Sequence, residues 1–189
     1  HLGMSFQFDK DGTLVVSPKR FIEKVISEYK RHFGEDPKEY RTPLPEGDHP
    51  ETDTSDFLDG PGISRYQSII GSLQWAITIG RIDIATAVMS LSSFRTAPRR
   101  SHLDRAKRVC GYIHRMKEAA IRVNTEEPDF SELVPSIHDW TGSVHGDVKE
   151  LIPEKIPVPH GKRVVLSHYV DANLCHCLLT GRSVTGILH

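Results

Sequence analysis

Three amphipathic segments follow one another between residues 63 and 116, with only short breaks between them. In each segment apolar side chains recur at steps of three and four, which places them on one face of an α-helix. Gly80 and Pro98 mark the breaks, since glycine favours helix ends and proline favours helix starts. The pattern therefore predicts a compact three-helix unit. Its apolar positions are Ile63, Tyr66, Ile70, Leu73 and Ile77, then Ile84, Ala85, Val88, Met89 and Leu91, then Leu103, Ala106, Cys110, Ile113 and Met116.

The chain on either side of this unit follows other patterns. Apolar residues alternate with smaller or polar ones over residues 2–8, and a turn ending in Gly12 follows, which predicts a β-hairpin over residues 1–17. Ser17 and Pro18 can begin a further helix, whose apolar face continues to Phe33 and ends at Gly34. Apolar runs near residues 164–170 and 181–188 predict a C-terminal pair of strands.

These elements together predict an α+β chain with helices near residues 18–33, 62–79, 83–94 and 99–117. Residues 35–61 and 124–162 are rich in proline and acidic residues, so we expect loops there. The expected organisation is a hairpin at 1–17, a helical region at 18–122, an acidic, proline-rich loop at 123–162 and a truncated strand-containing domain at 163–189.

Composition narrows the class of protein. The 189 residues contain no apolar run of about 18 residues, so no membrane partner is expected. Three cysteines give no even disulfide framework, which favours a reducing compartment. The chain opens His-Leu-Gly-Met without an initiator methionine or a signal segment, so we interpret it as a fragment.

The net charge of −1 hides a strong segregation. The segment from Arg81 to Arg122 contains ten basic and three acidic residues, whereas the flanking loops are acidic. Arg105, Arg108, Tyr112 and Arg115 are spaced by three, four and three, which predicts one exposed basic face. Such a face with an aromatic residue suits a phosphate backbone, and a merely solvated charged surface is the alternative.

The same residues carry a resemblance to reverse transcriptases of copia-type retrotransposons, in the region that follows the polymerase palm. That family has a Tyr, a Val/Ile-Gly-Ser-Leu, an Arg-Pro-Asp-Ile-Ala, a Leu-Ser-x-Phe, a Pro, a His and an Ala-Lys-Arg-Val-x-x-Tyr-Ile/Leu. Ile82 departs from the family's proline. The matching residues are Tyr66, Ile70-Gly71-Ser72-Leu73, Arg81-Ile82-Asp83-Ile84-Ala85, Leu91-Ser92-Ser93-Phe94, Pro98, His102 and Ala106-Lys107-Arg108-Val109-Cys110-Gly111-Tyr112-Ile113.

The resemblance implies a thumb and connection region that binds nucleic acid. His102 has a helix-capping contact as its alternative role. Leu2, Gly3 and Met4 resemble part of the primer grip, and Lys19, Arg20, Lys24, Lys30 and Arg31 add positive charge to the first helix. The expected nucleic-acid-binding residues are Arg99, Arg100, His102, Arg105, Lys107, Arg108, Tyr112 and Arg115.

The last residues resemble the opening of a ribonuclease H domain. Asp171 falls on that family's first metal-binding Asp, and residues 181–186 fall on its second motif, although Asn173 and Leu174 depart from the pattern. The complete parent protein would use Mg²⁺, but one carboxylate cannot hold two such ions. A zinc site formed by Cys175-His176-Cys177 with His168 is a weaker alternative, because one Cys-x-Cys lacks a second ligand pair.

The resemblance thus implies a fragment of an RNA-directed DNA polymerase with ribonuclease H that completes neither active site. Its expected partners are an RNA–DNA hybrid or template–primer duplex and the remainder of the polyprotein, with no small-molecule cofactor. The expected location is a cytoplasmic virus-like particle or the nucleus. The alternative is a non-catalytic helical protein–protein interaction module with a basic surface.

Overall fold

The computed structural model describes residues 3–123, 153–158, 160, 161, 169–173 and 177–188, and also residues 131, 139, 142, 144 and 146. The predicted α+β class is confirmed: within these residues, four α-helices accompany a three-stranded antiparallel sheet and a two-stranded sheet. The chain divides into two compact units. The first comprises His1–Thr125 and Ala172–Val184, and the second comprises Glu126–Asp171 and Thr185–His189.

The first unit begins with the predicted hairpin, and a third strand extends it. Strand β1 is Ser5–Phe8, β2 is Leu14–Ser17 and β3 is Ile121–Val123. Strand β2 lies in the centre, with Val16 opposite both Phe6 and Ile121. Strand β3 lies at the end of the predicted helical region, residues 18–122, where no strand was expected. Its pairing with β2 was missed because the partner is more than a hundred residues away in sequence.

The four helices lie within a few residues of their predicted positions. Helix α1 is Lys19–Phe33 and ends at Gly34, which adopts the left-handed conformation. Helix α2 is Gly60–Thr78, and the carboxylate of its N-cap residue Asp59 accepts a hydrogen bond from Gly62 N. A 3₁₀ turn at Ile82–Ile84 leads into α3, Ala85–Ser92, and α4 is Arg100–Arg115.

The core of the first unit is built from the apolar faces of the four helices. Tyr66 is fully buried, and its hydroxyl donates a hydrogen bond to the Leu91 carbonyl oxygen over 2.6 Å. Met89 and Met116, which the periodicity assigned to the apolar faces, are instead largely exposed. Val88 and Leu91 form the buried face of α3, so Met89 lies on its outer side, and Met116 follows the last residue of α4. The buried core residues of the helices include Ile22, Val25, Tyr29, Ile69, Ile70, Leu73, Ala76, Val88, Ala106, Val109, Cys110 and Ile113.

Residues 35–59, which we call the acidic strap, connect α1 to α2 and contain one short 3₁₀ turn at Pro50–Thr52. The strap holds nine acidic residues and two basic ones, Lys38 and Arg41. At the other end of the chain, β4, Tyr169–Asn173, and β5, Val184–Leu188, form the predicted strand pair. None of the helices in the described part of the chain combines the length and apolarity that a bilayer crossing requires.

Candidate nucleic-acid interface

The N-terminus of α4 is fastened to the acidic strap through His102. The imidazole is buried, its Nδ1 accepts a hydrogen bond from Arg99 N over 3.0 Å, and its Nε2 lies 2.9 Å from the Pro50 carbonyl oxygen. Burial lowers the pKa of His102 below its ordinary value, so the ring is neutral at pH 7 with its proton on Nε2. Phe94 stacks on the ring at 4.1 Å between centroids. His102 therefore makes the capping contact that was its alternative role, and it is not accessible to a phosphate.

Arg105, predicted to be exposed, is instead engaged by two strap carboxylates. Its guanidinium donates two hydrogen bonds of 2.8 Å to Asp48 and one of 2.8 Å to Asp53. The Arg105 side chain is 20% exposed and that of Asp53 only 4%. Burial raises the pKa of Asp53, but hydrogen bonds from Ser55 outweigh this effect and hold the pKa below its usual range. The ion pair of Arg105 with Asp53 is therefore largely enclosed, and it holds the strap against α4.

Of the other predicted basic residues of α4, Arg108 and Arg115 contact the strap through more exposed side chains, whereas Lys107 contacts Phe33 of α1. Arg108 donates to the Thr42 hydroxyl over 2.9 Å and lies 4.4 Å from the centre of the Tyr40 ring. Arg115 lies 3.3 Å from Glu39, and both side chains are substantially exposed. Lys107 sits over the ring of Phe33, 4.4 Å from its centre, and 4.0 Å from Asp104.

The two arginines at the start of α4, the N-cap residue Arg99 and the first helical residue Arg100, also contact the strap. Arg99 lies over the ring of Phe57, 3.9 Å from its centre, and its guanidinium donates to the Ser55 carbonyl oxygen. Arg100 is more weakly held, 3.8 Å from the carboxylate of Asp56, and both side chains are mostly exposed.

The prediction of one continuous exposed face on α4 is therefore wrong. Helical spacing correctly places Arg105, Arg108 and Arg115 together and away from the core. Helical spacing describes only residues of the same helix. The acidic strap docks on this face because its carboxylates are attracted to these arginines from a distant part of the chain. The assignment of these side chains to nucleic acid stays a prediction.

Arg81, one of the ten basic residues between Arg81 and Arg122, has a side chain that is only 1% exposed. Its guanidinium donates two hydrogen bonds to Asp83, over 2.9 and 2.7 Å, and a third to the Met116 carbonyl oxygen over 3.2 Å. Tyr112, predicted to touch nucleic acid, lies beside this ion pair, with Arg81 Cζ 5.8 Å from the centre of its ring. The Arg-x-Asp spacing was the signal in the sequence that could have identified this internal ion pair.

A group of unpaired positive charges lies on α1. Arg20, Lys24, Ser27 and Arg31 are all exposed and are spaced by four, three and four residues, so they line one side of the helix. Within the described part of the chain, no carboxylate forms an ion pair with Arg20, Lys24 or Arg31, whereas Lys19 pairs with Glu118 and Lys30 with Asp36. We call Arg20, Lys24 and Arg31 the α1 basic face.

The residues that resemble a primer grip lie at the start of the hairpin. Leu2 is outside the described residues, and Met4 is half-buried. Gly3 has a φ of 86°, and a Cβ there would lie 2.9 Å from Phe21 Cβ, so both the backbone conformation and the space favour glycine. The structure thus explains Gly3 by packing against α1, and a role in holding a primer stays a prediction.

The candidate metal ligand Asp171 lies in β4, but its side chain is outside the described part. Among the residues that the structure describes, no three His, Cys, Asp or Glu side chains gather into a group that could hold a metal ion. His168, Cys175 and His176 of the alternative zinc site also lie outside the described residues, and Cys177 is a free thiol.

Comparison with known proteins relates this mixed α+β chain to proteins encoded by transposons. A protein of Saccharomyces cerevisiae (strain ATCC 204508 / S288c), named "Putative transposon Ty5-1 protein", is 31% identical over 150 residues. The alignment covers 79% of this chain and 45% of that protein, so the chain spans less than half the length of this curated relative. The similarity supports a transposon-derived protein. Neither a family model nor a solved structure matches the chain.

Proposed function

We propose that the chain is the C-terminal part of a copia-type reverse transcriptase, leading into a ribonuclease H domain, and that it contributes template–primer binding. The main support is that residues matching the copia-type pattern hold the helical unit together. Tyr66 bonds to Leu91, Arg81 pairs with Asp83, and His102 caps α4. If the copia-type pattern reflects a shared fold, its residues should make the contacts that stabilise the helical unit, and these residues do.

The α1 basic face is the surface through which we propose that the first unit meets a nucleic-acid backbone. Its three cations are exposed and unpaired among the described residues, so no internal ion pair has to break before a phosphate binds. Arg105, by contrast, would have to give up two carboxylates. Backbone contacts of this kind hold a duplex without reading its sequence.

Catalysis is proposed for the parent protein only. Asp171 would supply one carboxylate to a ribonuclease H centre, and Mg²⁺ ions held there with further carboxylates would supply the hydrolytic chemistry. We expect no cleavage of an RNA–DNA hybrid by the 189 residues. Mg²⁺-dependent cleavage that disappears in Asp171→Asn would contradict this expectation.

The test of the binding proposal is a salt titration with a short RNA–DNA hybrid. The slope of log affinity against log salt is negative, and each lost phosphate contact should make it less steep by about 0.9. We expect Lys24→Gln to weaken binding at low salt and to reduce the slope by roughly one such contact. Glu23→Gln is the matched control on the same helix, because it removes a negative charge and should strengthen binding. An unchanged slope in Lys24→Gln, with the protein folded, would remove α1 from the interface.

A protein–protein interaction module is the second candidate, favoured by an apolar face of the three-stranded sheet. Phe6 is paired with Val16 and Phe8 with Leu14, and opposite residues in an antiparallel sheet share a face. Phe6 and Phe8 are 56% and 74% exposed. If Phe8→Ser abolished binding to the rest of the polyprotein while hybrid affinity was absent in every variant, this second function would be favoured.

A further inference from the structure

The acidic strap is held on α4 in two different ways along its length. Residues 48–56 are anchored by the enclosed pairs of Arg105 and by backbone hydrogen bonds, such as Arg100 N to the Asp56 carbonyl oxygen over 2.9 Å. In contrast, residues 35–48 form no backbone–backbone hydrogen bond within the described part of the chain. Segments without such bonds open at low free energy compared with the rest of a fold.

Within this second part, residues 38–43 form what we call the cover. Buried Pro37 precedes it, and Leu44, which packs against the core, follows it, so apolar contacts fix both of its ends. Between those ends the ion pair of Glu39 with Arg115 and the hydrogen bond of Thr42 with Arg108 are exposed, and Arg108 also lies over the half-buried ring of Tyr40. Exposed pairs of this kind contribute little to stability.

Two observations describe the surface of α4 beneath the cover, and the first of them shows a polar contact that the cover leaves unmade. The Nε of Arg108 is buried and has no hydrogen-bond partner among the described residues, and an unpaired buried donor is costly. Gly111 lies between Arg108 and Arg115 on this side of α4, and the backbone of the cover passes directly over it. A methyl group at Gly111 would collide with the Lys38 carbonyl oxygen and would lie 2.9 Å from the Tyr40 ring.

We propose that the cover occupies a second polyanion-binding surface, formed by Arg108 and Arg115 with Gly111 between them, and that a nucleic-acid backbone displaces it. The carboxylate of Glu39 on Arg115 takes the place that a phosphate oxygen would occupy. A phosphate would also supply acceptors for Arg108 Nε, which the cover does not. This inference rests on the proposed nucleic-acid function, but it concerns a different surface from the α1 basic face.

Gly111→Ala tests the inference because it unseats the cover without changing any charge. Gly71→Ala in α2 is the matched control, since a Cβ there meets nothing within 4 Å. If the cover is open in a tenth of molecules or fewer, Gly111→Ala should bind a short RNA–DNA hybrid about tenfold more tightly or better. Gly71→Ala should bind like the wild type. Adding Arg108→Gln to Gly111→Ala should remove the gain.

Limited trypsin digestion reports the position of the cover directly, since Lys38 and Arg41 both lie in it and both are exposed. Cleavage after these residues should be faster in Gly111→Ala than in Gly71→Ala. In the wild type, adding the hybrid should also speed it. Protection of Lys38 and Arg41 by the hybrid would overturn the inference.

The outcomes separate the two proposals. If Gly111→Ala is cleaved faster but binds no more tightly, the surface beneath the cover is not a binding site, and the α1 basic face stands unaffected. If no variant binds the hybrid, the proposed function falls and this inference falls with it. If Gly111→Ala does not fold, the hybrid affinity of Tyr40→Ala is measured instead. This substitution loosens the cover without altering α4 and should also strengthen binding. Unchanged affinity in a folded Tyr40→Ala would overturn the inference.

Discussion

Removing the carboxylate of Asp83 should destabilise the first unit far more than removing an ordinary surface charge. Asp83→Ala leaves the guanidinium of Arg81, whose side chain is 1% exposed, with the Met116 carbonyl oxygen as its remaining hydrogen-bond partner in the described part of the chain. Breaking a buried ion pair by deleting one partner costs about 3–5 kcal/mol. The Asp83 side chain is 33% exposed, so water can reach the vacated position, and we expect the lower limit, roughly 3 kcal/mol.

The sign of the pH effect follows from the pKa of Asp83. Burial raises this pKa, but the hydrogen bonds and the charge of Arg81 outweigh it and hold the pKa below its ordinary value of 3.8. The stabilisation is therefore fully present above that value and is lost as the pH falls through the folded-state pKa. At neutral pH the whole contribution should be measurable.

The assay is urea and thermal unfolding followed by circular dichroism. For a chain of this size, 1 kcal/mol shifts Tm by about 2–4 °C, so Asp83→Ala should lower Tm by roughly 6–12 °C. Asp104→Ala is the control, because Asp104 is 73% exposed and lies 4.0 Å from Lys107. Its effect should stay within about 0.5 kcal/mol.

A double-mutant cycle isolates the pair itself. Arg81→Met with Asp83→Ala removes both charges, so the double variant should lose less stability than the two single variants added together, by about 1–3 kcal/mol. Strict additivity would refute the idea that these side chains are coupled. If Asp83→Ala lowered the free energy of unfolding no more than Asp104→Ala does, the expected loss of roughly 3 kcal/mol would be refuted.

Three further predictions follow from buried residues. Tyr66→Phe should cost about 1 kcal/mol, because it removes the buried hydrogen bond to the Leu91 carbonyl oxygen, and urea unfolding measures the loss. Burial lowers the pKa of His102, so its contribution is present above its ordinary value of 6.5 and is lost as the pH falls below it. His102→Gln, which keeps a donor for the Pro50 carbonyl oxygen, should therefore show a smaller fall in Tm between about pH 7 and pH 5; an equal fall would contradict this origin. Ala106→Asp should abolish the cooperative melt, because it buries a charge that has no partner, and a native-like Tm would refute that expectation.

The positions of the helices and of the hairpin could be predicted from the sequence. Helix periodicity, the helix end at Gly34 and the turn at Gly12 depend on residues only a few positions apart, and such local preferences can be read along the chain. For the same reason Tyr66 and Ala106 were correctly placed in the core. The α+β class followed from these local elements.

The partners of the charged side chains, in contrast, depend on how distant parts of the chain come together in the folded protein. Arg105 lies more than fifty residues from Asp48, and the helical pattern of α4 contains no information about which distant segment will dock on it. Arg81 and Arg108 have the same charge in the sequence, yet one is enclosed with Asp83 and the other lies under a loosely held cover. A charge pattern sets the potential of a surface, whereas the path of the folded chain decides whether solvent, an internal carboxylate or a ligand meets that potential.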